Sequence, residues 1–186
     1  MKDMVRWLER AVIGLNLCPF AKGVHAKGQI HYVVSAATGA EALAQDLRRE
    51  LADLAAAPAE VRDTTLLMAP DCLQDFLEFN DFLGLAEDVL EELDLDGTLQ
   101  IASFHPQFQF AGTGAGDVTN CTNRAPYPTL HLLREDSIDR AVQAYPEAEA
   151  IYERNMEVPE QLGMPGWQAL DVGVSTAARA PELPKA

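Results

Sequence analysis

The chain has few of the features that define disulfide-rich, exported or membrane-spanning proteins. Its 186 residues include three cysteines, an odd number at wide spacing, which is typical of reduced thiols in a cytosol. The longest apolar runs are much shorter than the roughly 20 residues that a transmembrane helix needs. The first residues alternate in charge and lack the apolar stretch of a secretory signal. These shortages predict a cytoplasmic protein.

Positive charge is also scarce. The chain has 14 Lys and Arg residues against 29 Asp and Glu residues, which gives a formal net charge of −15 at pH 7. Nucleic-acid binding draws on Lys and Arg to neutralise phosphates, and anionic membranes repel an acidic surface. We therefore expect neither nucleic acid nor a membrane as a partner of this acidic protein. A local basic pocket could still hold a small anionic ligand.

The length and composition predict one folded unit. Hydrophobic residues make up 48% of the chain and charged residues 23%, the balance of a globular protein. The length fits one domain of ordinary size. Residues 173–186 are small, polar and interrupted by proline, which is typical of a chain end outside the core. We predict a single α/β domain over residues 1–172 and a mobile tail over residues 173–186.

The spacing of apolar residues alternates between the helical period and short β-forming runs. A first helix is predicted from Asp3 to about Leu15, with Asn16 ending it and a connector over 17–23. The predicted strands cover residues 29–35, 64–69 and 99–104. One helix is predicted to begin at a capping box at Thr38, and a second to begin at Asp71. A third is predicted from Asp136 or Ser137 through Ala144, and a fourth over 147–161. Strands that alternate with helices favour a largely parallel sheet of three or four strands with helices packed on it. Residues 129–134 fit either a strand or a helical turn.

The third predicted strand is followed by a long irregular loop, over residues 105–128, with three glycines and three prolines. Loops longer than about 15 residues are uncommon in compact domains unless they are functional or disordered. In open α/β sheets, ligands bind beyond the carboxyl ends of the strands. The loop therefore predicts a polar pocket at that edge of the sheet.

Three side chains are candidates for catalysis. His105 directly follows the third strand, and imidazole can act as acid, base or metal ligand near neutral pH. A histidine that only holds the loop backbone is an equally good interpretation. Cys18 is the best candidate nucleophile among the cysteines. His131 lies three residues before Arg134, so the two share a face on a helix and take opposite faces on a strand.

The loop region also supplies candidate ligand-binding residues, namely Gln109, Asp117, Asn120, Asn123, Arg124 and Arg134. Short Asx side chains in such loops commonly hydrogen-bond their own backbone, and this interpretation is favoured for Asn120. Arg124 or Arg134 would act as a clamp for a small anion. An ion pair with one of the many acidic residues is the alternative.

Three functional hypotheses follow. The leading one is a small-molecule enzyme or binding protein with a Cys/His/Arg pocket, and the pattern leaves both options open. The second is a protein-interaction module that presents Phe108, Phe110 and Tyr127 to a partner. The third is a transition-metal site, if Cys18, His105, Asp117 and His131 converge. The spacing of these residues matches no known metal motif and indicates no particular cofactor or oligomeric state.

Three motifs occur in order along the chain. They are Leu15-Asn16-Leu17-Cys18-Pro19-Phe20-Ala21, then Phe104-His105-Pro106 with Gln109-Phe110-Ala111-Gly112-Thr113, and then Thr122-Asn123-Arg124 through Pro126-Tyr127-Pro128 to Leu130-His131-Leu132-Leu133-Arg134-Glu135. With these motifs the chain resembles the bacterial family called domain of unknown function 1415, from Trp7 to about Gly163. The resemblance implies a small bacterial cytosolic protein and carries no activity, cofactor or catalytic residue with it.

Overall fold

Four strands form one mixed sheet in the order β1-β2-β4-β3, with helices on both of its faces. The computed structural model describes residues 1–144 and 150–175. The strands are β1 (Ile30–Val34), β2 (Thr64–Met68), β3 (Leu99–Phe104) and β4 (Thr129–Arg134). The helices are α1 (Lys2–Trp7), α2 (Ala21–Ala26), α3 (Ala40–Ala56), α4 (Phe76–Glu92), α5 (Glu135–Ala144) and α6 (Ala150–Ala169). Within the described residues, no helix is long and apolar enough to cross a membrane.

The direction of β4 corrects the predicted sheet. β1 and β2 are parallel, whereas β4 is antiparallel to both β2 and β3. β1, β2 and β3 therefore run in the same direction, as their connecting helices imply. The long loop then returns the chain so that β4 enters between β2 and β3 in the opposite direction. The expectation of a largely parallel sheet is wrong for this reason, while the single α/β domain and the loop after β3 are confirmed.

One face of the sheet is covered by α3 and α4. Leu67, Leu130 and Leu132 point from the strands into this side, and leucines of α3 and phenylalanines of α4 close it. The predicted helices are thus present, although their starts differ. α4 begins after Asp75, whose carboxylate accepts hydrogen bonds from two backbone amides, rather than at Asp71. α3 begins after Gly39 without a side-chain cap, so the predicted capping box does not form.

The other face is covered by the N-terminal helix and α6. α1 continues as a π-helix over Leu8–Ile13, and its buried Trp7 packs towards Leu66 and Met68 of β2. Asn16 has a φ of 54° and ends this helical stretch, as predicted. The segment predicted as a connector contains the start of α2. A 3₁₀ helix over Val118–Asn123 lies within the long loop and contacts α6.

The last helix is longer than expected. α6 extends to Ala169, beyond the predicted end at Gln161, with a break at Gly163. The first residues of the predicted tail are bound to α1, because Arg6 donates to the carbonyl of Gly173 at 2.6 Å and to the hydroxyl of Ser175 at 3.1 Å. The remaining tail residues, 176–186, and the predicted helix start at 147 lie outside the described residues.

Candidate functional site

A cavity of about 720 Å³ lies between the second face of the sheet and the helices α1, α2 and α5. Its wall is mostly apolar. The apolar side chains include Trp7, Leu8, Val12, Leu66, Phe104 and Ile138. Two of the predicted catalytic residues, Cys18 and His131, line this same cavity.

The pleat of β4 directs His131 into the cavity. Successive side chains of a strand point to opposite faces, so Leu130 and Leu132 enter the core under α3 and α4 while His131 and Leu133 face the cavity. His131 pairs in register with Leu66 on one side and with Ala102 on the other. The ambiguous segment 129–134 is therefore a central strand.

No hydrogen bond joins the imidazole of His131 to another described residue. It stacks on Phe104 with ring centroids 5.8 Å apart and keeps part of its surface open to the cavity. Burial lowers the pKa of His131 to about 4. The ring is therefore neutral at neutral pH and presents one donor nitrogen and one acceptor nitrogen.

Cys18 lies at the turn before α2 and is half-buried. Burial raises the pKa of the Cys18 thiol, and hydrogen bonds from the backbone of Phe20 and Ala21 oppose this shift without reversing it. The thiol is thus protonated at neutral pH. It offers the cavity a weakly polar, polarisable group rather than a thiolate.

His105 lies on the opposite side of the sheet. Its ring is fully buried beside Phe76 and Phe79 of α4, at centroid distances of 5.5 and 5.1 Å. Nδ1 accepts from the amide of Gln107 at 3.0 Å, so Nε2 carries the proton and donates to the carbonyl of Leu73 at 3.1 Å. Burial lowers the pKa of His105. The structure does not bring His105 to the cavity, and both ring nitrogens are used within the protein.

Two polar residues of the loop hold the loop itself. Asn120 is fully buried; its side-chain oxygen accepts from the amide of Phe110 and the hydroxyl of Thr113, both at 2.9 Å, and its nitrogen donates to Gly114. The Asp117 carboxylate accepts from the amide and hydroxyl of Thr119. These hydrogen bonds lower the pKa of Asp117. The geometry agrees with the interpretation of Asn120 as a residue that stabilises its turn.

The two arginines bind backbone carbonyls. Arg134 donates to the carbonyls of Leu54 and Ala57 at 2.5 Å each, where α3 ends, and its side chain points away from His131 as the strand geometry requires. Arg124 donates to Phe108 at 3.0 Å and to Ala115 at 2.7 Å. Arg124 therefore stabilises the long loop, and Arg134 stabilises the C-terminal end of α3.

A second cavity, of about 520 Å³, lies near the carboxyl ends of β2 and β3, the edge predicted to hold the pocket. Gln109 and Arg124 line it together with Asp75. Gln109 donates to the carbonyl of Thr113 at 2.6 Å, and Asn123 makes a long contact of 3.5 Å to Ser103. The candidate catalytic side chains are absent from the lining of this second cavity.

The four predicted metal ligands do not converge. Cys18 and His131 line the main cavity, His105 lies across the sheet, and Asp117 caps the 3₁₀ helix. Over residues 1–144 and 150–175, no group of three or more His, Cys, Asp or Glu side chains is arranged to hold a metal ion.

The aromatic residues of the loop pack on the protein. Phe108 lies between Phe76 and Phe110, at centroid distances of 5.3 and 4.9 Å, and all three rings are partly buried. The hydroxyl of Tyr127 donates to Asp3 at 2.8 Å. The aromatic rings that an interaction module would present to a partner are therefore in contact with other residues of this chain.

Sequence reasoning missed most of the cavity wall. Trp7 lines it, and its buried indole N–H has no hydrogen-bond partner in the part of the chain that the structure describes. Ser137, Ile138 and Ala141 line it from α5. The signal that was available is the alternation in β4, which separates His131 from its leucine neighbours once the segment is assigned as a strand.

The fold and the site together define an α/β protein with a mixed four-stranded sheet and a ligand-sized apolar cavity on one face. The family described as "Protein of unknown function (DUF1415)" matches residues 1–169, and the chain belongs to this family. The resemblance seen in the three motifs is thereby confirmed. Comparison with curated proteins and with solved structures gives no match.

Proposed function

We propose that this protein binds a small, mainly apolar molecule in the cavity lined by Cys18 and His131. The observation that carries the proposal is the cavity itself. Its volume of about 720 Å³ is within the range of small-molecule sites, roughly 300–1,000 Å³. Its apolar wall with a few converging polar groups is the usual composition of such sites.

The state of His131 supports this proposal. The imidazole lies on an apolar wall, is partly open to the cavity and has no hydrogen bond to a described residue, so a ligand can supply one. His105 shows the other arrangement, because both of its ring nitrogens are satisfied by the protein. Of the two residues, His131 is therefore the one available to a ligand.

Binding fits the protonation states better than covalent catalysis does. A cysteine nucleophile acts as the thiolate, and burial raises the pKa of Cys18. Neutral imidazole and protonated thiol are suitable contacts for a bound molecule. The proposal therefore assigns Cys18 and His131 to ligand contact and requires no ionised nucleophile.

The test is to fill the cavity from α5. Ala141 lines the cavity, whereas its neighbour Val142 is exposed and lies outside the lining. We expect Nile red, a neutral fluorescent probe, to bind the wild-type chain saturably at one molecule per chain. Ala141→Phe should weaken this binding by about tenfold or more, since a ring would occupy the site, while Val142→Phe should leave it unchanged.

A second measurement covers the case in which Ala141→Phe fails to fold. Saturating Nile red should slow the alkylation of Cys18 in the wild-type chain, because the thiol lines the same cavity. The absence of saturable probe binding, or equal binding by a folded Ala141→Phe variant, would overturn the proposed function.

A further inference from the structure

Resting on the proposed function, we infer that the ligand meets His131 with an uncharged hydrogen-bonding group, such as a hydroxyl, carbonyl or amide, on an apolar body. A carboxylate, phosphate or ammonium at this position does not fit the cavity. This inference differs from the small anionic ligand expected from the sequence. It depends on where the charges of the cavity lie and on what each of them binds.

The charges of the cavity lie at its rim. Among the described residues that line it, the charged residues besides the titratable His131 are Lys27, Asp63 and Arg134, and the guanidinium of Arg134 points away towards the end of α3. Asp63 directly precedes β2 and Arg134 ends β4. Arg134 is three residues from His131 along the strand, about 10 Å at roughly 3.3 Å per residue.

Two of these three charges already have partners. Asp63 accepts a hydrogen bond from the hydroxyl of Ser137 at 2.6 Å. Arg134 donates to the carbonyls of Leu54, Ala57 and Arg62 and is thereby held at the C-terminal end of β4. Lys27 is exposed, just after α2. Asp63 is itself an anion and Arg134 is bound to backbone carbonyls, so neither is placed to neutralise an anion against His131, and Lys27 is exposed to solvent.

The surroundings of His131 are apolar. Phe104 stacks on the imidazole and also contacts Trp7 edge to face, with ring centroids 5.0 Å apart. Leu66 is its neighbour in register on β2. Burial of a charged group among such side chains is strongly unfavourable unless a counter-charge accompanies it.

The hydrogen-bonding capacity of the neutral ring favours the same class of ligand. A neutral imidazole offers one donor and one acceptor, and hydroxyl and amide groups can match both. A carboxylate only accepts, so it can use the donor nitrogen of the neutral ring but leaves the acceptor nitrogen unmatched, and its charge would lie among apolar side chains. An ammonium only donates and would remain without a counter-charge.

The test compares three ligands of equal chain length at pH 7: 1-octanol, octanoate and octylamine, each in competition with Nile red. We expect octanol to displace the probe at a concentration about tenfold or more below that of either charged compound. Equal or tighter binding of octanoate or octylamine would overturn the inference and leave the proposed function standing. Failure of Nile red itself to bind would remove the proposed function.

Two substitutions identify the residue responsible. His131→Gln keeps a donor and an acceptor, and the preference for octanol over octanoate should stay within about threefold of the wild-type value. His131→Phe keeps an aromatic ring against Phe104 and removes both groups, so octanol binding should fall about fivefold, the effect of one lost hydrogen bond. Nile red binding, measured in the same variants, reports whether the cavity is intact. An unchanged octanol affinity in a Phe variant that still binds Nile red would contradict the assignment to His131.

Discussion

His105 and His131 are both central histidines of this fold, yet they lie in opposite environments. His105 is held by two hydrogen bonds and two phenylalanine rings on the α4 side of the sheet. His131 stacks on one ring and has no hydrogen bond to a described residue on the cavity side. The difference shows that hydrogen-bond satisfaction, rather than residue type or position after a strand, separates a structural histidine from a candidate binding residue.

The two faces of the sheet differ in the same way. Under α3 and α4, the leucines and phenylalanines fill the core, and Leu67 and Leu132 are fully buried. Under α1 and α5, the packing leaves a cavity, and on this side Trp7 Nε1 and Tyr32 Oη are buried without hydrogen-bond partners among the described residues. One face is closely packed, whereas the other retains space and polar atoms that no described residue satisfies.

The largest expected effect tests the two histidines directly. His105→Ala should reduce the free energy of unfolding by about 4 kcal/mol, because it removes a buried ring and leaves the Leu73 carbonyl and the Gln107 amide without their partner. His131→Ala should reduce it by about 1 kcal/mol, since that ring already faces a cavity. Urea unfolding of both variants measures the difference. Equal losses would contradict the contrast between the two faces.

The pH dependence of stability should show the second largest effect. His131 has a pKa of about 4 in the folded chain against an ordinary value of 6.5. Between these values the unfolded chain binds a proton that the folded chain excludes, so stability falls as the pH is lowered from about 6.5 to about 4. The loss attributable to His131 is up to about 1.4 kcal/mol per pH unit, at most about 3 kcal/mol in total.

The control for this prediction is His131→Phe. The carboxylates and His105 titrate in both proteins, so subtracting the variant's stability curve from the wild-type curve isolates His131. The slope of this difference curve should be zero above about pH 7 and should increase below it. A difference curve that is flat from pH 7 to pH 4 would show that the imidazole is not buried as the structure has it.

The sequence pattern predicted much of the fold because local periodicity determines local structure. Residues 64–69 and 99–104 were assigned as strands within one residue of their observed ends, and Asn16 was placed correctly at the end of the first helical stretch. The direction of β4 was not predictable in the same way. It depends on where in the sheet the chain inserts its last strand after the long loop. The local spacing of apolar residues does not determine that position.

The candidate site was predicted only in part for the same reason. Cys18 and His131 are far apart in sequence, and they line one cavity because the N-terminal helix packs on the face to which β4 directs His131. His105 and the polar loop residues drew attention because polar side chains after a strand often bind ligands. Here the protein uses most of these side chains to hydrogen-bond its own loop backbone.

The smallest expected effect concerns the reactivity of Cys18. At pH 8, iodoacetamide should alkylate Cys18 severalfold more slowly than a free thiol in a short peptide, because burial raises the pKa of the thiol and reduces its thiolate fraction. Cys18 should nevertheless react before Cys72 and Cys121, both of which are buried. Mass spectrometry of partially alkylated protein resolves the three sites, and Cys18→Ser provides the control. Faster alkylation of Cys18 than of the peptide would mean that a thiolate is present in the cavity, and the face that we assign to ligand binding would then have to be considered for covalent catalysis.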